Sequence, residues 1–430
     1  MEKQIDSKTS KTHYSWVIAF AGLLIVGAGV GILNTTIGAF IIPVCEDLGF
    51  TRGQFTLYAS LSLITCAVLM PFYGTVINRF GFKRTALVCS VACSLVFVGF
   101  SFSSQLWHFY ALAIFSGLFT NGIGVMAVGI LISNWFADKK GLAIGIAYSG
   151  SGLLSAFFIP VTNAFIELYD WRLTYRYLAV VSLFIFIPVI LVIIKDKPEE
   201  MGLGRYRRSA QKDNSTDKEK LNEPATGLAR NEAIRTISFW LLVLTVLGIA
   251  LSQAGPHVHT LSFLSDIGYS VAYASVLSST YMILLTVGKI AIGWALDRIG
   301  SLKGCLLVGG SCVLFPIFAL LSGYPGMTWL YVLLLSIASS GVTVLGPIIT
   351  ASLFGRKDFS RIFSLVSMFS FLGIAVSAPG LGFIYDMTDS YNMAWIIIIG
   401  IGIIVCGCSI GAFLLKKNRV EDANAPQRVK

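Results

Sequence analysis

Charge is scarce in this chain. Asp, Glu, Lys and Arg make up 13% of its 430 residues, about half the share of a soluble domain. The 22 acidic residues avoid the middle of every long apolar run. Histidine is also rare, with four copies, and none backs a Cys in metal-ligand spacing. The eight Cys (45, 66, 89, 93, 305, 312, 406 and 408) fall mostly inside apolar runs and imply neither a metal centre nor a disulfide framework. There is no P-loop and no ATP-binding segment. The apolar runs hold no paired carboxylates, no Ser–His–Asp order and no zinc spacing. These absences argue against ATP-driven and enzymatic chemistry. No cofactor is expected.

What is abundant is apolar residue, at 55% of the chain, with a mean hydropathy of +0.77. A signal peptide has a short apolar core. The first run here begins near Tyr14 and is too long for one, so it is read as a retained span. Apolar runs at about 15–43, 55–77, 85–103, 107–135, 141–166 and 174–194 precede a polar stretch at 195–237. Six more follow at about 238–265, 271–296, 304–322, 328–354, 361–385 and 391–415. Each meets the requirement of about 20 residues for crossing a bilayer. The expected organisation is a tail (1–13), a six-helix half (14–194), a central loop (195–237), a second six-helix half (238–415) and a C-terminal tail (416–430). Glycine clusters at 27–31, 121–124 and 150–152 read first as sites of close helix packing.

The formal charge of +10 invites a nucleic-acid reading, but its distribution removes it. Of 32 Lys and Arg, 28 fall on the side of the tails and central loop. Arg52, Arg172 and Arg176 fall on the other side. Positive residues are retained in the cytoplasm. Both termini and the central loop are therefore expected there, in a multi-pass protein of the plasma membrane with no nucleic-acid partner.

Lys289 is the exception to that distribution. It lies eight residues before Asp297, which marks the water boundary, so helical rise puts it roughly 12 Å inside the span. A cation at that depth costs on the order of 2.5–3.5 kcal/mol, so it should face a cavity or a partner. Ser275, Ser279, Met282, Thr286, Lys289 and Gly293 share one stripe of the helix at spacings of three and four. A carboxylate-paired structural Lys is the competing reading. No mid-span acid is available for it, which favours an anion-binding role.

The two halves repeat. Residues 74–84 (GTVINRFGFKR) and 293–303 (GWALDRIGSLK) share Gly74/Gly293, Asn78/Asp297, Arg79/Arg298 and Gly81/Gly300 at equal spacing. This pattern resembles the signature turn of the major facilitator superfamily. The resemblance covers both halves and implies an all-α fold of twelve transmembrane helices, two six-helix halves around a central cavity. Asn78 departs from the usual acid, which implies a weaker gating latch there than at Asp297.

Residues 134–145 (NWFADKKGLAIG), the G-S-G at 150–152, the D-W-R at 170–172, the I-R-T-I-S-F-W at 234–240 and the S-L-F-G-R at 352–356 resemble the monocarboxylate porter and oxalate–formate antiporter group. In that group an Arg eight residues before the motif acid binds a substrate carboxylate. Lys289 stands at that position, keeping the charge and losing the bidentate fork. The acid that some relatives place four residues earlier is Leu285 here. The second cation that the antiporters carry in span eleven aligns with Phe371.

The resemblance and the lone lysine together imply secondary transport of a small organic anion, a monocarboxylate above all, by alternating access. Proton symport and anion exchange both fit. A monomer in the bilayer is expected, with the anion, and protons in the symport case, as partners. Pro256 interrupts the seventh apolar run beside His257 and His259, which are candidates for anion binding (His257) and proton coupling (both). Asn34, Asn121, Tyr148, Met282, Thr286 and Phe371 complete the candidate substrate contacts. Interhelical packing is the competing reading for the polar ones. A carrier of bulkier amphipathic anions, a carrier of neutral solutes with Lys289 structural, and a non-transporting membrane sensor remain as alternatives.

Overall fold

In lipid a chain satisfies its backbone groups inside each segment, and long helices are the simplest way to do so. The apolar runs obey this. The computed structural model describes residues 14–50, 52–206 and 227–424. The N-terminal tail, most of the central loop and the last residues of the C-terminal tail lie outside the described residues. Twelve helical spans are long and apolar enough to cross a membrane. The described residues contain no strand, only two isolated bridges.

The first span is α1 (Tyr14–Val26), a π-helical stretch at Gly27–Ile32, and α2 (Ile37–Leu48). Spans two and three are α3 (Arg52–Phe80) and α4 (Phe82–Ser101). The fourth is split into α5 (Leu106–Thr120) and α6 (Val125–Trp135). α7 (Lys140–Leu168) and α8 (Trp171–Pro188) complete the first half. A short α9 (Arg230–Ile234) leads to α10 (Ile237–Asp266), α11 (Val271–Ile299) and α12 (Ser301–Leu320). α13 (Met327–Phe354), α14 (Phe359–Thr388) and α15 (Asn392–Asn424) finish the second half. The last helix runs past the apolar residues, to Asn424.

The sequence repeat is a backbone repeat. Gly81 between α3 and α4 has φ 83° and ψ 160°, and Gly300 between α11 and α12 has φ 83° and ψ 164°. Only glycine adopts this conformation without strain. It lets one helix stop and the next begin a single residue later. The described ends of the central loop repeat as well. Tyr206 N donates to Trp135 O at 3.0 Å, and Leu228 N donates to Phe354 O at 2.9 Å. Each end is thereby tied to the turn after the fourth helix of a half. This face is called the loop face below.

Several motifs do structural work. In the D-W-R segment, Asp170 caps α8 by accepting from Leu173 N. Trp171 and Arg172 both donate to Asp47, at 3.1 and 2.6 Å. These bonds, the arginine's first, hold the Asp47 carboxyl below the usual carboxylate range. Thr236 caps α10 by accepting from Phe239 N at 3.2 Å.

The halves meet along two helix pairs at the loop face. α7 packs on α11, where Gly141 faces the Gly293 backbone and Gly145 faces the backbone of Lys289 and Ile290. α3 packs on α14, where Gly74 faces Ser360 and Ser364. Small residues let these backbones approach.

Candidate functional site

A central cavity of about 210 Å³ lies between the halves. Its walls come from broken and continuous helices of both. The irregular segment after α1 and the break between α5 and α6 touch each other, with Gly29 against Ile123. They bring Val30, Asn34, Thr120, Asn121, Gly124 and Val125 to the cavity. Non-helical backbone at membrane depth is tolerated only where it is buried in protein or lines a cavity. Both breaks obey that rule.

Among the described residues lining this cavity, Lys289 is the one that is charged. It is 7% exposed, and no carboxylate lies within 4 Å of its ammonium among the described residues. Nζ donates to Ser151 Oγ at 2.8 Å and to the Tyr148 carbonyl at 3.4 Å, both on α7 in the other half. An ammonium has three N–H donors. Two are used by α7, which leaves one for a ligand. Close packing of α11 on α7 makes this reach possible.

The sequence candidates separate into two groups. Lys289, Asn34, Asn121, Tyr148 and Phe371 all line the cavity. His257, His259, Met282 and Thr286 do not. Asn121 is fully engaged in holding α5 to α3. Its Nδ2 donates to Cys66 O at 3.0 Å and Gly117 O at 3.2 Å, and its Oδ1 accepts from Cys66 Sγ at 3.3 Å. The Tyr148 hydroxyl donates to Val125 O at 2.5 Å, which steadies the start of α6. Asn34 is exposed and its side chain has no hydrogen-bond partner among the described residues.

Thr286 donates to Met282 O on its own helix and packs against Gly152. His257 stacks on Tyr281 with ring centroids 4.6 Å apart. His259 has both ring nitrogens engaged, Nδ1 with the Tyr391 hydroxyl at 3.1 Å and Nε2 with Ala378 O at 3.2 Å. The gating-motif residues lie at the loop face. Asp297 accepts from the Gly141 and Leu142 amides, both at 2.8 Å, across the halves. Its partner is thus the amide-rich start of α7 rather than Arg298, which lies over the Trp294 ring. Asn78 is exposed and bonds to nothing among the described residues, and Arg79 lies over Phe80.

Sequence reasoning passed over Ser151, which sits inside a G-S-G taken for packing. It also passed over Ser62, Ser367 and Ser370. Ser62 and Ser367 are 9% and 8% exposed, line the cavity and have no protein hydrogen-bond partner among the described residues. Serines are common as helix glue, so no spacing in the sequence separates these from the rest.

Two six-helix repeats around a central cavity are the architecture of a membrane transporter. The Major Facilitator Superfamily profile matches residues 19–270 and 258–430, and the chain belongs to that family. Among its relatives are monocarboxylate transporters. One is monocarboxylate transporter 13 of Bos taurus, 21% identical over 393 residues that cover 89% of this chain and 86% of the relative. Another is monocarboxylate transporter 12 of Xenopus laevis, 26% identical over 372 residues that cover 81% and 78%. In fold the chain is similar to the E. coli fucose:proton symporter FucP in its outward conformation. The TM-score is 0.68 at 13% identity, with 93% of this chain and 99% of the symporter covered. These relatives and neighbours are transporters, and the chain is a transporter rather than an enzyme.

Proposed function

We propose that this transporter carries a small organic monocarboxylate, with proton symport or anion exchange supplying the energy. The carrying observation is the Lys289 ammonium, buried at the cavity wall with one donor unspent and no carboxylate within 4 Å among the described residues. A substrate carboxylate supplies the missing counter-charge. Phe371, Val246, Val342 and Ile374 offer it apolar walls. A cavity of about 210 Å³ is on the scale of a small-molecule site. The names of the monocarboxylate transporters among its relatives agree with this class.

Each half rocks about the cavity, and the α7–α11 and α3–α14 contacts close the loop face in one state. The charge distribution of the sequence supports assigning that face to the cytoplasm, and the reading is completed by a monomer in the plasma membrane. A second reading has a specific observation behind it. Ser151 and the Tyr148 carbonyl already hold Lys289, so a neutral solute with Lys289 as an interhelical tie also fits. Counterflow of a labelled short monocarboxylate in proteoliposomes tests the choice. Accelerated exchange in wild type that is lost in Lys289→Ala supports the anion reading. Counterflow unchanged in that variant supports the tie.

A further inference from the structure

A second polar cleft lies outside the transport cavity. It occupies about 800 Å³ at the loop face and is lined from both halves. Lys139, Lys140 and Arg205 come from the first half and its loop, and Arg298 and Arg356 come from the second. Among the described residues, the carboxylates on its walls are Asp138 and Asp297. Asp297 is already engaged by the Gly141 and Leu142 amides. The ion pairs among the described residues are Asp47–Arg172 and Asp358–Arg361, so none of the five cations has a carboxylate of a described residue within 4 Å.

Their present partners are weak or partial. Lys140 lies over the Phe359 ring at 4.6 Å and Arg298 over the Trp294 ring at 4.2 Å. Arg205 donates to the Ser133 and Asn134 carbonyls. The Arg356 side chain has no hydrogen bond among the described residues. Burial lowers its pKa from the ordinary value, with the Glu199 carboxylate acting the other way. Lys139, Lys140 and Arg205 are half-buried and Arg298 and Arg356 exposed, so a ligand can reach all five. Like charges gathered in one cleft attract an anion, and clustered Arg and Lys donors suit the oxygens of a phosphate.

We propose that this cleft binds a phosphate-monoester anion, free or on a lipid headgroup, which bridges Lys140 of one half to Arg298 and Arg356 of the other. Such an anion holds the halves together at the loop face. It binds the state closed there and leaves when the halves separate. It is therefore an inhibitory ligand, linked to the transport cycle through differential affinity for the two states. The proposal does not depend on which substrate the central cavity takes.

The test uses the purified full-length protein and needs no transport substrate. Inorganic phosphate and pyrophosphate are titrated at fixed ionic strength, with chloride replaced in step, and the unfolding temperature is followed. A saturable rise is expected. The apparent Kd should weaken at least tenfold in Lys140→Gln/Arg356→Gln. Arg298→Gln alone serves as a milder variant should the double variant unfold. A parallel arm compares nanodiscs of phosphatidylcholine with nanodiscs containing phosphatidic acid. Stabilisation by phosphatidic acid, lost in the same variants, makes a lipid the source of the phosphate. Stabilisation by the soluble anions alone makes it a free phosphate. Responses to phosphate, pyrophosphate and phosphatidic acid that equal the chloride and phosphatidylcholine controls, or that survive in the variants, overturn the proposal.

Discussion

The Lys289 ammonium on α11 donates to the Ser151 hydroxyl on α7 at 2.8 Å, across the boundary between the halves. Ser151 in turn donates to Tyr148 O at 2.9 Å. The serine therefore aims the charge without neutralising it. Lys289→Ala is expected to lower uptake at least tenfold, as loss of about 1.4 kcal/mol does, with the protein still folded in the membrane. Lys289→Arg should retain partial uptake. Ser151→Ala should raise KM a few-fold and leave kcat nearly unchanged, because the charge stays and only its aim is lost. Uptake kinetics at matched expression decide this. Normal uptake by Lys289→Ala would remove the anion site.

The gating turns should be unequal in effect. Asp297 gives both oxygens to α7 amides, while the Asn78 side chain has no hydrogen bond among the described residues. Asp297→Asn replaces one acceptor oxygen by an NH2 that faces a donor. Hydrogen bonds to charged groups contribute about 1.5–3 kcal/mol each, so the loop face should open more often. Transport rates of Asp297→Asn and Asn78→Ala, with cysteine-labelling accessibility at the loop face, measure the difference. Equal damage from both would contradict the asymmetry.

The paired glycines give a stability test. Alanine at either position must adopt φ 83°, at a cost of about 1–3 kcal/mol. An added Cβ at Gly300 meets open space, whereas at Gly81 it meets the Asp196 carboxylate. That carboxylate accepts from Lys83 N at 2.7 Å. Gly81→Ala should therefore lower the unfolding temperature more than Gly300→Ala.

These turns, the spans and Lys289 were legible because each rests on a local rule: about twenty apolar residues, a glycine at fixed spacing, a charge with no acid near it. The helix breaks were not. The glycines at 27–31 and 121–124 satisfy close packing and a break equally well, and only tertiary contact selects the break. Pro256 was expected to interrupt its span, yet α10 continues through it. The reason is distant in sequence. Ser377 of α14 accepts from Gly255 N and donates to Leu251 O, both at 2.6 Å, and so sits astride the backbone ladder beside the proline.

Asn34 and Asn121 looked alike in the sequence and should separate by experiment. Asn121→Ala removes two donated bonds, to Cys66 O and Gly117 O, and the acceptor of Cys66 Sγ in a buried site. A lost intramolecular hydrogen bond costs about 0.5–1.5 kcal/mol, so the unfolding temperature should fall. Asn34→Ala breaks no side-chain hydrogen bond among the described residues. It should leave stability unchanged and alter KM. A stability loss in Asn34→Ala larger than in Asn121→Ala would reverse these roles.

The final expectation concerns the number of carboxylates. Among the described residues lining the central cavity, Lys289 alone is charged. Phe371 stands on the wall contributed by α14, at the position that the sequence resemblance aligns with a second cation of the oxalate–formate antiporters, and its lining neighbours Ser367 and Ser370 are neutral. A dianion would pair one carboxylate with Lys289 and bring the other into apolar surroundings. Burying an unpaired charge costs several kcal/mol, and each 1.4 kcal/mol is about tenfold in affinity. The hydroxyls of Ser62 and Ser367 soften that cost without supplying charge. Lactate, pyruvate and longer monoanions should therefore compete for a bound labelled monocarboxylate at least tenfold better than oxalate, malonate or succinate. Phe371→Lys should narrow the gap by placing a cation where the second carboxylate falls. Oxalate competing as well as the best monoanion in the unmodified protein would mean that the single charge of Lys289 does not set the selectivity.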